Sequence, residues 1–300
     1  MILIAGATGV LGGMIARRLL AAGEEVRILV REDSPSEELA GQGMATSAAS
    51  LIEAGAQPVY GDMKDRASLD QACVGVETVI TTANSALRGG EDNVDTVDRA
   101  GNRNLIDAAR AVGVKQFIFM SVLGADVNNP LPFIQAKAET EAYLRESGVP
   151  YTILAPNFFM ESWVGMVVGI PLGAGGPVTL VGEGRRQHSF VSVVDVAAFA
   201  TSAVGHSAAM NQHILIGGPE PLSWCDVIVT FERLMGQEIP VRFISPGEPV
   251  PGTPEIVTTM LPALETFDSP LPMTETARTF GVELTPLETY VRRTLELPAS

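Results

Sequence analysis

Met1-Ile2-Leu3-Ile4-Ala5-Gly6-Ala7-Thr8-Gly9-Val10-Leu11-Gly12-Gly13-Met14-Ile15-Ala16-Arg17-Arg18-Leu19-Leu20 opens the chain and decides how the rest is read. Residues 1–5 are an apolar run of strand length, and no leader peptide is expected ahead of it. Residues 14–20 have helical spacing, so the opening reads as strand, glycine turn, helix. Gly6, Gly9 and Gly12 recur every third residue, one residue off the G-x-G-x-x-G fingerprint. In a dinucleotide site Gly6 would permit the tight turn and Gly9 would let the backbone approach a pyrophosphate. Gly12 would let the helix pack close to the strand, with the helix N-terminus facing the negative charge. The preceding strand and following helix are the context such a motif needs.

Strand and helix then alternate. The sequence predicts strands over 25–31, 57–60, 78–83, 116–120 and 150–155, and helices over 48–54, 64–73, 93–112 and 133–147. Six strands alternating with helices imply an α/β fold with a Rossmann-type, doubly wound parallel sheet. Ligands of such sheets bind beyond the carboxyl ends of the strands. That rule selects Gly6, Thr8, Gly9, Val10, Leu11, Arg31, Asp62, Met63, Thr82, Ala83, Asn84, Val122, Pro156, Asn157 and Phe158 as candidate cofactor-binding positions, with Ser121 at the end of the fifth strand as a further position to watch. Arg31, at the end of the second strand, suits the 2′-phosphate of NADP(H), which is preferred over NAD(H) on this reading. The alternative gives the ribose hydroxyls to Glu32 or Asp33.

After residue 156 the alternation breaks. Residues 1–156, completed by 187–217, are expected to form the dinucleotide-binding domain. Residues 157–186 and 218–300 are expected to form a smaller C-terminal region that covers the substrate. His188 to Val194 alternates like a strand, with Asp195 as N-cap of a helix to Val204 and Ser223 as N-cap of a helix to Met235. Ser162 to Gly182 has no charged residue. Its six glycines, with Pro171 and Pro177, make it a poor membrane span and a better buried or pocket-covering segment.

The 300 residues are 46% hydrophobic and 18% charged, enough apolar material for a sizeable core. The formal charge of −15 argues against a nucleic-acid partner, since phosphate backbones need clustered Lys and Arg. Cys73 and Cys225 have no metal or redox spacing and read as reduced thiols of a cytoplasmic protein. No metal site and no membrane partner are expected.

These stretches together resemble the NmrA-like atypical short-chain dehydrogenases/reductases. The resemblance rests on GATGVLGG at 6–13, GD at 61–62, NLIDAARAVGVKQFIFMS at 104–121 and SGVPYTILAPNFFMESW at 147–163. GEGRRQHSFVSVVDVAAFA at 182–200, IGGPEPLSW at 216–224 and LTPLETYV at 284–291 extend it over nearly the whole length. It implies either an NADPH-dependent reductase of small aromatics, quinones or dyes, or a regulator that binds cofactor without turnover. It also implies a catalytic Ser at Ser121 and a Tyr four residues before a Lys on one helix. The Tyr would donate a proton and the Lys would hold the nicotinamide ribose. Here the Lys is Lys137, but the Tyr position is Phe133, and a phenyl ring has no proton to give. Tyr143 lies about 240° around the helix from Lys137 and cannot substitute.

A quinone or dye needs no strong protein acid during hydride transfer, so a proton from solvent or from His188 suffices. Phe133, Phe159, Met160 and Trp163 are candidates for the substrate pocket, because apolar walls suit a flat aromatic ligand. The expectation is a reductase acting by direct hydride transfer without a Tyr acid. The alternative is a non-catalytic NADP-sensing regulator that binds a protein partner.

Overall fold

The computed structural model describes residues 1–31, 45–86, 89–250 and 255–298. Strand β1 (Ile2–Ala5) pairs in parallel with both β2 (Val26–Val30) and β4 (Thr78–Thr81). β3 (Gln57–Tyr60) lies outside β2, while β5 (Gln116–Met120) and β6 (Tyr151–Pro156) continue beyond β4. A further strand (Gln212–Ile216) closes that edge, and the order is β3-β2-β1-β4-β5-β6 followed by this seventh strand. The order reverses between β1 and β4. Connections leave that point in opposite directions, and a crevice opens beyond the strand ends.

Side-chain alternation explains why both faces are covered. Leu3, Ala5, Val79, Phe117 and Phe119 share one apolar cluster with Leu69, Ala72, Leu105 and Ala108 of the helices Arg66–Ala72 and Asn102–Val112. Ile4 and Ile28 point the other way and are fully buried, as is Ile15 of the helix Val10–Ala21, which packs on β1 and β2. Each such buried side chain contributes about 1.5–3 kcal/mol. The near-continuous apolar strands therefore suit a sheet sandwiched between helices.

By its internal contacts the chain forms two units. The first holds 1–155 and 196–215, and the second holds 156–195 and 216–300. The first unit thus regains the chain at residue 196 rather than at 187. Residues 188–194 are not a strand. His188 makes isolated bridges to Leu222 and Ser269, Val191 makes one to Phe159, and a helix begins at Val193. All these bridge partners are second-unit residues. Asp195 lies inside the first turn of that helix, and its carboxylate accepts from Thr285 N and Oγ1 (2.8 and 2.7 Å).

The second unit has its own core. Trp163, Val164, Val167, Leu180, Phe190, Trp224, Phe231, Leu287 and Val291 cluster together. A parallel pair, Val178–Val181 with Val241–Ile244, was not evident in the sequence. Ser223 does cap its helix, Trp224–Met235, in a reciprocal arrangement with Asp226. The uncharged segment Ser162 to Gly182 becomes a wide π-helical stretch (Met160–Gly169), an α-turn (Ile170–Gly173) and one of those two strands. Among the described residues no helix is long and apolar enough to cross a membrane.

Candidate functional site

The glycine turn is built by close approach. Gly6 has φ +87°, and a Cβ there would lie 2.7 Å from Thr82 Oγ1 and 2.8 Å from Ala83 N. A Cβ on Gly12 would overlap the Gly6 carbonyl oxygen, so the helix can reach the strand end only with glycine at that position. Gly9 is the N-cap of the helix Val10–Ala21. No side chain caps this end, and no acidic residue occupies its first turn. The amide donors and positive dipole end at Val10 and Leu11 are therefore left for an external anion.

Beside this turn lies a small open cleft. Its walls include seven of the expected positions: Gly6, Thr8, Arg31, Asp62, Met63, Ala83 and Asn84. Thr82 contacts the turn through Thr82 Oγ1, which donates to Gly6 O (3.3 Å). Asn84 is fixed by donating to Thr82 O (3.2 Å) and accepting from Ala86 N (2.9 Å). The alternative ribose ligands, Glu32 and Asp33, lie outside the described residues.

Sequence reasoning missed Leu29, Gly61, Asp92 and Val97 in this cleft. Asp92 matters most. Its Oδ2 accepts from Arg31 Nη1 and its Oδ1 accepts from Lys64 Nζ (2.7 Å), while Lys64 also stands 3.7 Å from Asp62. The bond to Asp92 holds the Lys64 ammonium above the ordinary lysine range. In the sequence Asp92 ends a polar stretch, and no spacing rule links it to Arg31.

Farther along the sheet, Lys137 is 4% exposed on the helix Pro132–Glu146. Its Nζ donates to Met120 O (2.9 Å) and lies 5.0 Å from the Phe119 ring and 5.3 Å from the Phe133 ring. Burial lowers the Lys137 pKa, against the opposing charges of Asp98 and Glu141. Phe133 is half-buried one turn away, where the resemblance placed a Tyr.

Ser121 is buried, and its hydroxyl donates to Glu141 Oε1 at 2.5 Å. The same carboxylate meets Arg145 (2.8 Å) and His213 Nε2 (3.3 Å). Burial alone would raise the Glu141 pKa, but the bonds from His213, Ser121 and Arg145 outweigh it and hold the carboxyl below its ordinary value. The Ser121 proton is committed to Glu141, so Ser121 cannot donate to a substrate oxygen while that bond lasts. Val122 follows it, half-buried. Tyr143 is likewise engaged, donating to Asp107 (2.9 Å).

Asp98, which the sequence did not single out, sits on the π-helical stretch Val94–Gly101. Such wide turns recur at functional sites. Asp98 Oδ2 accepts from Ser85 N (3.0 Å) and Ser85 Oγ (2.5 Å), which ties down the loop after β4.

In the second unit, Pro156 and Asn157 are buried at the end of β6. Asn157 Nδ2 donates to Ser269 O (2.9 Å) and Oγ (3.1 Å), and its Oδ1 accepts from Phe158 N (2.9 Å). Phe158 meets Trp163 and His188 edge-on, each at 5.3 Å. Phe159 bridges to Val191, and Met160 is wholly buried in the core of this unit.

His188 is also wholly buried. Its Nε2 lies 3.1 Å from Leu264 O, which can only accept, so Nε2 carries the proton and Nδ1 accepts from Ser269 Oγ (2.7 Å). Burial pushes its pKa down. A neutral, doubly bonded, inaccessible ring is a core residue, and the expected proton-donor role is not supported by this geometry.

The family model described as NmrA-like family matches residues 1–293. The chain belongs to the NmrA-like family. Among its relatives, the photosystem II assembly factor Ycf39 of Cyanophora paradoxa is 31% identical over 248 residues, covering 81% of this chain and 73% of that protein. The NAD(P)H azoreductase of Xenophilus azovorans is 29% identical over 245 residues, covering 82% and 77%. In architecture this NmrA-like chain matches the NADPH-dependent quinone oxidoreductase QOR2 of Escherichia coli, solved with NADPH. The TM-score is 0.77 at 24% identity, over 98% of this chain and 100% of the other. At that identity the match establishes the Rossmann-like fold alone.

Proposed function

We propose that the first unit binds NAD(P)H, with NADPH preferred, and that the protein reduces a small planar aromatic or quinone-like acceptor. The observation that carries this reading is the glycine turn. Gly6 and Gly12 leave an uncapped helix N-terminus beside a cleft lined by Arg31 and Asp62. That donor set fits a dinucleotide. Gly9, whose own amide donates to Gly6 O (3.0 Å), lets the backbone approach the pyrophosphate, the amides at Val10 and Leu11 take it, and Thr8 lies on the same wall. Arg31 and Lys64 stand on the 2′-phosphate side, Asp62 and Met63 flank the adenosine, and Thr82, Ala83 and Asn84 line the path from it. Lys137, whose Nζ reaches Met120 O at the end of β5, is assigned to the nicotinamide ribose.

The cofactor, when bound, supplies hydride from its nicotinamide. Neither position expected to supply the acid of a carbonyl reductase does so, because Phe133 has no hydroxyl and the Ser121 proton is held by Glu141. An acceptor that takes hydride first and its proton from solvent avoids that need, and quinones and cationic dyes are such acceptors. The azoreductase relative and the quinone oxidoreductase of like fold support the same class.

The test is NADPH oxidation by the purified protein with a panel of quinones and dyes. Bound cofactor with no oxidation above the protein-free rate would count against catalysis. A second reading, a regulator that holds the cofactor without turning it over, is favoured by Phe133 and by the assembly-factor relative. A protein partner whose affinity differs between NADP⁺ and NADPH would establish it.

A further inference from the structure

Arg31 follows β2, Lys64 follows β3, and Asp92 precedes the stretch Val94–Gly101, so three connections converge on one carboxylate. Asp92 is only 14% exposed and gives one oxygen to each cation. Asp62, 3.7 Å from Lys64, adds a second carboxylate beside the two cations. A ribose 2′-hydroxyl arriving here needs only an acceptor, which either carboxylate provides. A 2′-phosphate brings between one and two negative charges and needs both cations. Those cations already hold a carboxylate in the place where a phosphate would bind.

The geometry points to Asp92 as the residue that sets the choice between a 2′-phosphorylated dinucleotide and its 2′-hydroxyl form, by competing with the phosphate for Arg31 and Lys64. This rests on the cleft being the adenosine site of the proposed dinucleotide. The phosphate binds by displacing Asp92 from the two cations, and then meets the repulsion of the displaced carboxylate. NADH meets neither obstacle but gains nothing from the two cations, so Asp92 narrows the preference for NADPH that Arg31 and Lys64 create. Replacing Asp92 by a neutral isostere removes the carboxylate that Arg31 and Lys64 share and leaves both cations in place.

The experiment is a titration of the full chain with NADPH and, separately, NADH, in wild type and Asp92→Asn, at low and moderate salt. Asp92→Asn is expected to tighten NADPH by about tenfold or more while NADH changes by less than about threefold. The gain should shrink with salt and vanish when Arg31→Ala is added. Asp92→Ser, which cannot reproduce the amide's bonds, must shift the preference in the same direction. The inference is overturned if NADPH is unchanged or weaker, or if both nucleotides tighten equally. A wild-type chain that binds neither nucleotide overturns the dinucleotide reading itself, and the first titration tells that failure apart from the others.

Discussion

The hydroxyl of Ser121 and the carboxylate of Glu141 stand 2.5 Å apart, twenty residues apart in sequence and both buried. The bond turns a candidate catalytic serine into a donor that stabilises a buried anion. Ser121→Ala is therefore expected to cost about 1–3 kcal/mol of stability, the range for leaving a buried partner short of a bond. Turnover with a quinone should fall by less than the roughly hundredfold that loss of a general acid produces. Thermal melts and steady-state rates on the same preparations separate the two effects. A rate loss without a stability loss would restore Ser121 to the chemistry.

The same carboxylate predicts a pH dependence. Glu141 has a folded-state pKa held below its ordinary value of 4.5. Its contribution to stability is therefore fully present above that unfolded value and is lost as the pH falls through the lower, folded one. Glu141→Gln should flatten the part of the stability curve below about pH 4.5. Urea unfolding at a series of acidic pH values measures this. An unchanged slope would show that Glu141 is not what the acid limb reports.

Phe133 lies one helical turn from Lys137 and 5.3 Å from its ammonium. If the acceptor takes its proton from solvent, Phe133→Tyr should leave quinone reduction within about threefold of wild type or lower it. A gain approaching the roughly hundredfold of an added general acid would mean that a donor was the missing part. In that case the natural substrate is a carbonyl.

Gly12 has no room for a side chain, because the obstruction is the Gly6 carbonyl and not a movable side chain. Gly12→Ala should destabilise the first unit by about 1–3 kcal/mol through overpacking. NADPH affinity should fall with it, as the helix end moves from the turn. Gly23→Ala is the control, since open space surrounds Gly23, although its φ of +81° carries a local cost of its own. Equal loss of cofactor binding in both variants would remove the special role of the Gly6–Gly12 contact.

What was legible in the sequence was local. Apolar runs of strand length, glycines every third residue and helical spacing give β1, the turn and the helix Val10–Ala21. Repeated, the same signals give β1–β6 with boundaries shifted by no more than two residues. The glycine stereochemistry was legible because φ and Cβ clearance depend on a few neighbouring atoms. Periodicity failed where partners are remote. Residues 188–194 alternate like a strand, yet the chain offers them only isolated bridges to Phe159, Leu222 and Ser269.

The sequence by itself therefore determined the doubly wound sheet, the glycine turn beside its crevice and the absence of a Tyr before Lys137. Only the tertiary structure decided which charges meet. Arg31 and Asp92 are 61 residues apart and share an ion pair, Ser121 and His213 both meet Glu141, and His188 is sealed among aromatic rings. The physical reason is range. Backbone propensity and side-chain periodicity act over a few residues, whereas hydrogen bonds, ion pairs and desolvation act between groups that the folded chain alone brings together.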